Sequence, residues 1–279
     1  MSDAAQAALA AYRRGEISAE IALMRVVLAI GDMASLMSWL EAAGEPELLR
    51  IARARRDRLG GVAALVTAGL TDERKSVAAI REQFDAAVVL APEAAVALYS
   101  LGSPEILDRA TAEIVLRLRE WRLIGADTDV LDIGCGIGRI ARALAPHAAS
   151  IIGIDVSPEM IAEARTRCPG LGNVAFLCVD GGDLGAVAGR RFGLVLAVDA
   201  FPYLVAAGDA IAARHVADAT GLLEPGGALA IFNYSYRGNL DADRADLAHL
   251  AAAHGFAIER NGTSDLSLWD GVTFLLRKS

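Results

Sequence analysis

Two features of the sequence predict an α/β fold preceded by an all-helical N-terminal region. From Val130 onward, short apolar runs of β type alternate with helical segments, whereas before about Trp121 apolar residues recur at three- and four-residue steps. Seven such runs occur in the second half, and five of them are apolar on both sides, as in a parallel sheet with helices on both faces. The last two runs are joined by the short segment NGTSDLSLWDG, which favours a hairpin. The predicted sheet is therefore seven-stranded and mostly parallel, with the last strand antiparallel.

Residues that typically begin or end helices divide the first half of the chain. They are GEIS at 15–18, Gly31-Asp32, GEPE at 44–47, Gly60-Gly61 and Ser103-Pro104-Glu105. A further break is expected at Thr71-Asp72. We therefore predict a helical accessory region over 1–71 and a second domain over 72–279. Within that domain, 72–124 would form a helical lid and 125–279 the sheet core.

The composition suggests limits on partners and location. With 279 residues, 54% of them hydrophobic, the chain is long enough to bury a core. A net charge of −8 and a pI near 5.1, without a large Lys/Arg cluster, predict that nucleic acid is not a partner. Charged residues interrupt the apolar runs and the N-terminus lacks a signal-peptide pattern, so we expect a cytoplasmic protein with no membrane contact. The three cysteines, without a CxxC pair, are expected to be buried apolar residues, and no metal site is predicted.

The segment VLDIGCGIGRI, residues 130–140, places three glycines between the first strand and the next helix. Parallel sheets bind ligands beyond the carboxyl ends of their strands, often at the first strand-to-helix turn. Gly134 permits a tight turn, Gly136 lets the backbone approach a ligand, and Gly138 lets the helix pack close to the strand. Asp155 ends the next strand, 21 residues after Gly134, where a carboxylate can accept hydrogen bonds from both hydroxyls of a ribose.

The spacing of the glycines distinguishes two nucleotide ligands. A dinucleotide fingerprint requires G-x-G-x-x-G, whereas this turn reads G-x-G-x-G and has Arg139 where the third dinucleotide glycine would stand. Asp132, two residues before the first glycine, would repel a diphosphate and attract an ammonium group. Of the two ligands, the residues therefore favour the nucleoside that carries an amino acid, and not NAD.

The segments VLDIGCGIGRI and IIGIDVSPEMIAEA resemble the first two motifs of the class I, Rossmann-like S-adenosylmethionine-dependent methyltransferases. The resemblance continues through NVAFLCVDGGDL, RFGLVLAVDAFPYL and LLEPGGALAIFNY in that family's order and spacing, and covers about residues 125–279. It implies a seven-stranded sheet with a reversed last strand, S-adenosylmethionine as methyl donor and S-adenosylhomocysteine as product. Two departures, Gly193 after Phe192 and Val179 before Asp180, leave the cofactor residues unchanged.

The resemblance also implies roles for individual residues of a cofactor site. It implies that Gly134, Gly136 and Gly138 contact the methionine part of the cofactor and that Asp132 binds the amino group. It also implies that Asp155 binds the ribose. The other implied contacts are Val156 and Met160 beside the adenine ring, Asp180 and Gly181 at the adenine amino group, and Ala197 and Val198 at the methionine end. An alternative for Asp180 and Asp183 is that they cap the turn that follows them.

Polar and aromatic residues follow the fourth and fifth strands, where we expect the acceptor to bind. The predicted catalytic residues are Tyr203, Tyr234 and His215, which would orient the acceptor or act as a base. The predicted acceptor-binding residues are Tyr99, Asp199, Asn233 and Tyr236. For each tyrosine a packing role is the alternative.

These residues predict a methyltransferase that acts on a small-molecule acceptor, at oxygen or nitrogen. One alternative is methylation of a protein or peptide that docks on the N-terminal helices. Another is a module that binds the cofactor without turnover, and a third is an NAD-dependent oxidoreductase. The N-terminal helices are also a candidate contact for a homodimer.

Overall fold

A computed structural model of the chain describes residues 3–67 and 76–279. The chain packs into two compact units, each of them discontinuous in sequence. One comprises Met1–Asp72, Ala86–Ala110 and Leu266–Asp270, and the other comprises Glu73–Asp85, Thr111–Asp265 and Gly271–Ser279. The break expected at Thr71-Asp72 lies outside the described residues, and the division into an accessory region, a lid and a core stays a prediction.

Eight α-helices precede the sheet in the described parts of the chain. They are α1 (Asp3–Arg13), α2 (Ala19–Ile30), α3 (Met33–Ala43), α4 (Pro46–Ala54), α5 (Arg56–Thr67), α6 (Val77–Leu90), α7 (Pro92–Val96) and α8 (Pro104–Glu120). Ser18 and Asp32 cap the N-termini of α2 and α3 with their side chains, and Gly31 and Gly44 end these helices in the left-handed conformation. In the described residues no helix has the length and apolar character needed to cross a membrane.

The predicted helix break at Gly60-Gly61 is wrong. Both glycines lie inside α5, and neither adopts a positive φ. A Cβ atom on Gly61 would lie 3.2 Å from the Cβ of Ala91, so the missing side chain permits close packing there and does not make a turn.

The second unit contains one seven-stranded sheet. Its strands are β1 (Asp129–Ile133), β2 (Ser150–Asp155), β3 (Val174–Cys178), β4 (Phe192–Val198), β5 (Leu223–Phe232), β6 (Phe256–Thr263) and β7 (Thr273–Lys278). The strand order is β3-β2-β1-β4-β5-β7-β6. Neighbouring strands from β3 to β5 are parallel, and β7 is antiparallel to both β5 and β6. The predicted fold class, including the reversed last strand, is confirmed.

The helices that connect the strands place the sheet between two layers. They are α9 (Arg139–Leu144), α10 (Pro158–Arg167), α11 (Phe201–Ala207), α12 (Asp209–Leu222) and α13 (Leu240–His254). The chain runs outward from β1 to β3, returns to β4 beside β1, and continues to the other edge. Because parallel crossovers are right-handed, helices of the two halves cover opposite faces. The order reverses between β1 and β4, which is where open sheets of this type bind ligands.

The central strands are apolar along most of their length because both faces are covered. Residues 194–198 of β4 and 227–232 of β5 are buried. On one face of the sheet, Val195, Ala197, Leu229 and Ile231 pack in one apolar cluster with Phe201 and Phe274. Each large buried side chain stabilises the fold by about 1.5–3 kcal/mol. The sheet is thus a rigid base for the residues that follow its strands.

Candidate cofactor and acceptor site

The turn after β1 contains three glycines in the left-handed conformation. The φ angles of Gly134, Gly136 and Gly138 are 66°, 51° and 75°, a region that residues with a side chain rarely adopt. A Cβ atom on Gly134 would lie 2.4 Å from the Cβ of Ala200, and one on Gly138 would lie 2.9 Å from Cζ of Phe176. The turn therefore requires glycine for both its conformation and its space.

Asp155, at the end of β2, holds this turn in place. Its Oδ2 atom accepts a hydrogen bond from the backbone N–H of Gly136, and its Oδ1 atom accepts one from Ser157, each at 2.9 Å. Burial raises the pKa of Asp155, and these backbone hydrogen bonds act in the opposite direction. Each carboxylate oxygen can accept a second hydrogen bond, so this role is compatible with a ligand hydroxyl at the same group.

Asp132, near the end of β1, is 1% exposed. Within the described chain, no hydrogen-bond donor contacts its Oδ2 atom. Burial raises the pKa of Asp132 to about 7, although the charge of Arg139 lowers it. Arg139 is itself buried, and its Nη1 donates a hydrogen bond to Oγ1 of Thr111 at 3.0 Å. A buried carboxylate oxygen without a donor, beside a backbone stripped of side chains, is chemically suited to a ligand ammonium group.

The residues predicted for the adenine ring lie in the same unit. A Cβ atom on Gly181 would lie 2.5 Å from Cγ1 of Val156 and 2.9 Å from Cγ1 of Val77, so this glycine is closely covered. Met160 is 1% exposed in the first turn of α10. The assignment of these side chains to adenine stays a prediction.

The two acidic residues after β3 both make the capping contacts weighed as their alternative. Oδ1 of Asp180 accepts from the backbone N–H of Gly182 at 3.0 Å, and Oδ1 of Asp183 accepts from that of Gly185 at 2.8 Å. Asp180 is exposed, so its carboxylate also remains accessible to a ligand. Cys178, just before it, is exposed as well, which corrects the expectation that all three cysteines are buried.

Asp199 and Asn233 follow β4 and β5, and the structure brings them together. Nδ2 of Asn233 donates to Oδ1 of Asp199 at 2.9 Å, and the hydroxyl of Tyr236 donates to the same oxygen at 3.0 Å. Both Asp199 and Asn233 have positive φ angles, 56° and 66°. Non-glycine residues held in this conformation are uncommon and concentrate at functional sites. The predicted acceptor residues after the two strands therefore form one hydrogen-bonded group.

Tyr203 lies beside this group, in α11. Its ring is 4.8 Å from that of Phe84 and 5.8 Å from that of Tyr236, with interplanar angles of 83° and 80°. Burial and then the charge of Asp199 raise the pKa of Tyr203, while its hydrogen bond with Tyr236 lowers it. The net effect is a raised pKa, which favours the neutral phenol. The predicted role of Tyr203, orienting the acceptor or acting as a base, stays a prediction.

Three other predicted site residues lie in different surroundings. Tyr234 is 4% exposed and packs against Phe201 and Phe274 in the apolar cluster under the sheet. Nδ1 of His215 lies 2.9 Å from the carbonyl oxygen of Ile211 within α12, and burial lowers the pKa of this histidine. Tyr99 belongs to the helical unit, where its ring stacks on that of Trp269 at 5.2 Å. Catalytic or acceptor roles for these residues stay predictions.

The sequence did not point to a partly buried contact between α6 and the start of α10. Oγ of Ser157 donates to Oδ1 of Asp85 at 2.6 Å and accepts from the N–H of Met160 at 3.0 Å. Ser157 before Pro158 is a recognisable helix-start signal, but its partner lies 72 residues earlier. Among the described residues, no cluster of three or more His, Cys, Asp and Glu side chains is arranged to hold a metal ion.

The sheet order and the helices on both of its faces define an α/β protein of the Rossmann-like class. Comparison with known proteins is more specific, since residues 130–227 match a family model described as a methyltransferase domain. Residues 130–227 thus carry a methyltransferase domain, on the Rossmann-like fold of the class I enzymes that take their methyl group from S-adenosylmethionine. The predicted family, enzyme class and methyl donor are confirmed at the level of this domain.

Individual relatives cover only part of the chain. It is 31% identical over 113 residues to a demethylmenaquinone methyltransferase from Tropheryma whipplei, covering 40% of this chain and 44% of the relative. It is 35% identical over 69 residues to a 23S rRNA (uracil(1939)-C(5))-methyltransferase from Shewanella amazonensis, covering 24% of this chain and 16% of the relative. Each match thus spans less than half of the relative's length.

A solved structure extends the similarity at the level of the fold. Magnesium protoporphyrin IX methyltransferase from Synechocystis, with bound S-adenosylmethionine, superposes with a TM-score of 0.54 and 19% identity. The superposition covers 76% of this chain and 99% of that chain. At this identity the likeness establishes the fold alone.

The prediction that nucleic acid is not a partner is wrong. The relatives include the 23S rRNA methyltransferase described above, whose name gives RNA as its substrate. The prediction relied on the net charge of the whole chain. Contact with RNA depends on the local distribution of charge, which a net value of −8 does not describe.

Proposed function

We propose that this chain transfers the methyl group of S-adenosylmethionine to a small-molecule acceptor, at oxygen or nitrogen, beyond the carboxyl ends of β4 and β5. The observation that carries the proposal is the environment of the Oδ2 atom of Asp132. It is buried next to the glycine turn, and no donor among the described residues contacts it. A ligand ammonium group supplies the missing donor and the opposite charge.

In this proposal the turn and the neighbouring strands hold the methionine end of the cofactor. Asp132 binds the ammonium group, and Gly134 and Gly136 let the backbone approach closely because they have no side chain. Ala197 and Val198, buried at the end of β4 beside β1, offer backbone to the same end of the ligand.

The adenosine end is assigned to the ends of β2 and β3. Asp155 accepts hydrogen bonds from the ribose hydroxyls, and its carboxylate is oriented by the backbone of Gly136 and Ser157. Val156, Met160 and Gly181 enclose the adenine ring, and Asp180 faces its amino group.

The bound cofactor supplies a methyl group on a positively charged sulfur, which is a good leaving group. The protein then has to hold an acceptor lone pair in line with the methyl carbon and to exclude water. Asp199, Asn233, Tyr236 and Tyr203 are the residues proposed to orient the acceptor. Ala200 joins the two parts of the site, because it follows Asp199 and lies against Gly134.

Replacing Asp155 with alanine is expected to weaken binding of S-adenosylhomocysteine by about 1–3 kcal/mol, the scale of hydrogen bonds to a charged group. The measurement is isothermal titration calorimetry on the full chain. Asp155→Asn, which keeps one acceptor oxygen, should fall between the wild type and the alanine variant. Unchanged affinity in Asp155→Ala would remove this residue from the cofactor site. Binding of NADH in place of S-adenosylhomocysteine would overturn the proposed function.

A second candidate function is methylation of RNA, and the match to the 23S rRNA methyltransferase favours it. The two are separated by incubating the protein with S-adenosylmethionine labelled in its methyl group and with either the small-molecule fraction or the RNA of a cell extract. Label in the small-molecule fraction supports the proposed function. Label that sediments with RNA and is released by ribonuclease supports the second candidate. A cytoplasmic location stays a prediction.

A further inference from the structure

The residues after β4 and β5, together with Phe84 of α6, combine one carboxylate with three aromatic rings. We name Phe84, Asp199, Tyr203 and Tyr236 the aromatic-carboxylate cluster. Successive rings meet edge to face, with interplanar angles of 83° and 80°, and do not stack into one layer. Tyr236 is 57% exposed, which leaves the cluster open to solvent on that side.

The carboxylate of the cluster is held in a fixed position. Asn233 donates to Asp199 through its amide nitrogen, and its amide oxygen accepts from the N–H of Val272 at 3.2 Å. The backbone N–H of Asn233 donates to the carbonyl of Val272 at 2.9 Å, and that of Asp199 donates to the carbonyl of Phe232 at 3.0 Å. Asn233 therefore bridges β4, β5 and the chain before β7, which preorganises Asp199.

The loop that carries Tyr236 is anchored on both sides of this residue. Oγ of Ser235 and Nε of Arg237 both donate to Oδ1 of Asp243, at 2.7 and 2.6 Å. Arg237 also donates to Asp246 at 2.7 Å. The positive charge of Arg237 is thus engaged with α13.

We infer that the aromatic-carboxylate cluster recognises an amine, so that the acceptor atom is nitrogen. This inference rests on the proposed function. An ammonium group is attracted both by a carboxylate and by the negative faces of aromatic rings, whereas a neutral alcohol gains little from either. The cluster adjoins the glycine turn through Ala200, which places it beside the proposed methyl donor.

The reaction balances without a further reactant. The bound ammonium first gives one proton to water and becomes a neutral amine with a lone pair. This pair forms the new N–C bond while the C–S bond breaks, and sulfur keeps the electrons of that bond and becomes a neutral thioether. The positive charge passes from sulfur to nitrogen, where Asp199 and the rings stabilise the methylated ammonium product.

The test uses tetramethylammonium as a probe of the cluster and tert-butanol as its neutral counterpart of similar shape. Each is titrated into the full chain saturated with S-adenosylhomocysteine, and binding is followed by proton NMR line broadening. Tetramethylammonium is expected to bind saturably and at least about tenfold more tightly than tert-butanol. Equal binding of the two probes, or no saturable binding of tetramethylammonium, would overturn the inference.

Matched variants assign the binding to the cluster. Asp199→Asn keeps the shape of the side chain, and asparagine tolerates the left-handed conformation of this position, so the fold is preserved. It is expected to weaken tetramethylammonium binding about tenfold, as is Tyr203→Leu, whereas Tyr203→Phe retains the ring and the binding. Asp241→Asn removes the same charge from an exposed position of α13 and should have no effect. Wild-type affinity in Asp199→Asn would contradict the inference.

The inference and the proposed function fail in different ways. If the wild type does not bind S-adenosylhomocysteine, the methyltransferase proposal itself is refuted. If the wild type binds that nucleoside normally but does not prefer tetramethylammonium to tert-butanol, only the inference that the acceptor is an amine is refuted. A labelled product from the small-molecule extract gives an independent readout, since a methylated amine is retained on a cation exchanger at neutral pH and a neutral ether is not. A neutral labelled product would overturn the inference.

Discussion

Replacing Gly134 with alanine is expected to abolish detectable binding of S-adenosylhomocysteine and to lower the free energy of unfolding by about 2–5 kcal/mol. Two costs add at this position. Alanine at a φ of 66° is strained by about 1–2 kcal/mol, and its Cβ would lie 2.4 Å from the Cβ of Ala200. Neither atom belongs to a flexible side chain, so the turn or the start of α11 has to move.

Gly170→Ala is the matched control for this variant. Gly170 also has a positive φ, 73°, but no atom lies within 4 Å of the position that its Cβ would take. The free energy of unfolding of Gly170→Ala should fall only by the conformational cost, about 1–2 kcal/mol. This variant should bind S-adenosylhomocysteine with the affinity of the wild type. Chemical denaturation and calorimetry measure the two quantities. If both variants lost the same stability and both still bound the nucleoside, the close approach to Ala200 would have no role in the site.

Replacing Asp132 with asparagine is expected to have opposite effects on stability and on cofactor binding. The folded state raises the pKa of Asp132 from 3.8 to about 7. Between these values the folded state holds more protons than the unfolded state, so stability decreases as the pH rises. Through Asp132 alone, the free energy of unfolding of the wild type should fall by up to about 4 kcal/mol between pH 4 and pH 7. Asp132→Asn lacks this loss, so it should be the more stable protein at pH 8 and similar to the wild type at pH 4.

Binding of S-adenosylhomocysteine should change in the other direction. The ligand's ammonium group favours the ionised carboxylate, so the affinity of the wild type should increase as the pH rises from 6 to 7.5. Asp132→Asn should bind about 2–4 kcal/mol more weakly at pH 7.5, the scale of losing one partner of a buried charge pair, and should show no such increase. Asp241→Asn serves as the control for both measurements, because its carboxylate is exposed.

Thermal unfolding at pH 4, 6 and 8 and calorimetry at pH 6 and 7.5 test both parts. A variant that is less stable than the wild type at pH 8 would show that Asp132 stabilises the fold through Arg139, contrary to the raised pKa. A variant that binds the nucleoside as tightly as the wild type would place the ammonium group elsewhere.

The parts of the site that the sequence predicted are those set by neighbouring residues along the chain. The left-handed glycines of the turn and the acid at the end of β2 follow from strand length and turn chemistry, both of which are local. The parts it did not reveal depend on distant contacts. Ser157 and Asp85 are 72 residues apart, and Phe84 meets Tyr203 across an even longer separation. No local pattern marks such pairs.

The sequence by itself determined the class of fold and the presence of a methyltransferase domain, and it predicted the position of the cofactor turn. It left open which tyrosine after β5 belongs with Asp199, and the tertiary structure decided for Tyr236. In an extended strand Tyr234 and Tyr236 would point to the same side. The strand ends at Phe232, however, and Asn233 turns the chain in the left-handed conformation, so that alternation no longer applies. Tyr234 is therefore packed in the apolar core, while Tyr236 reaches the carboxylate at the end of the neighbouring strand.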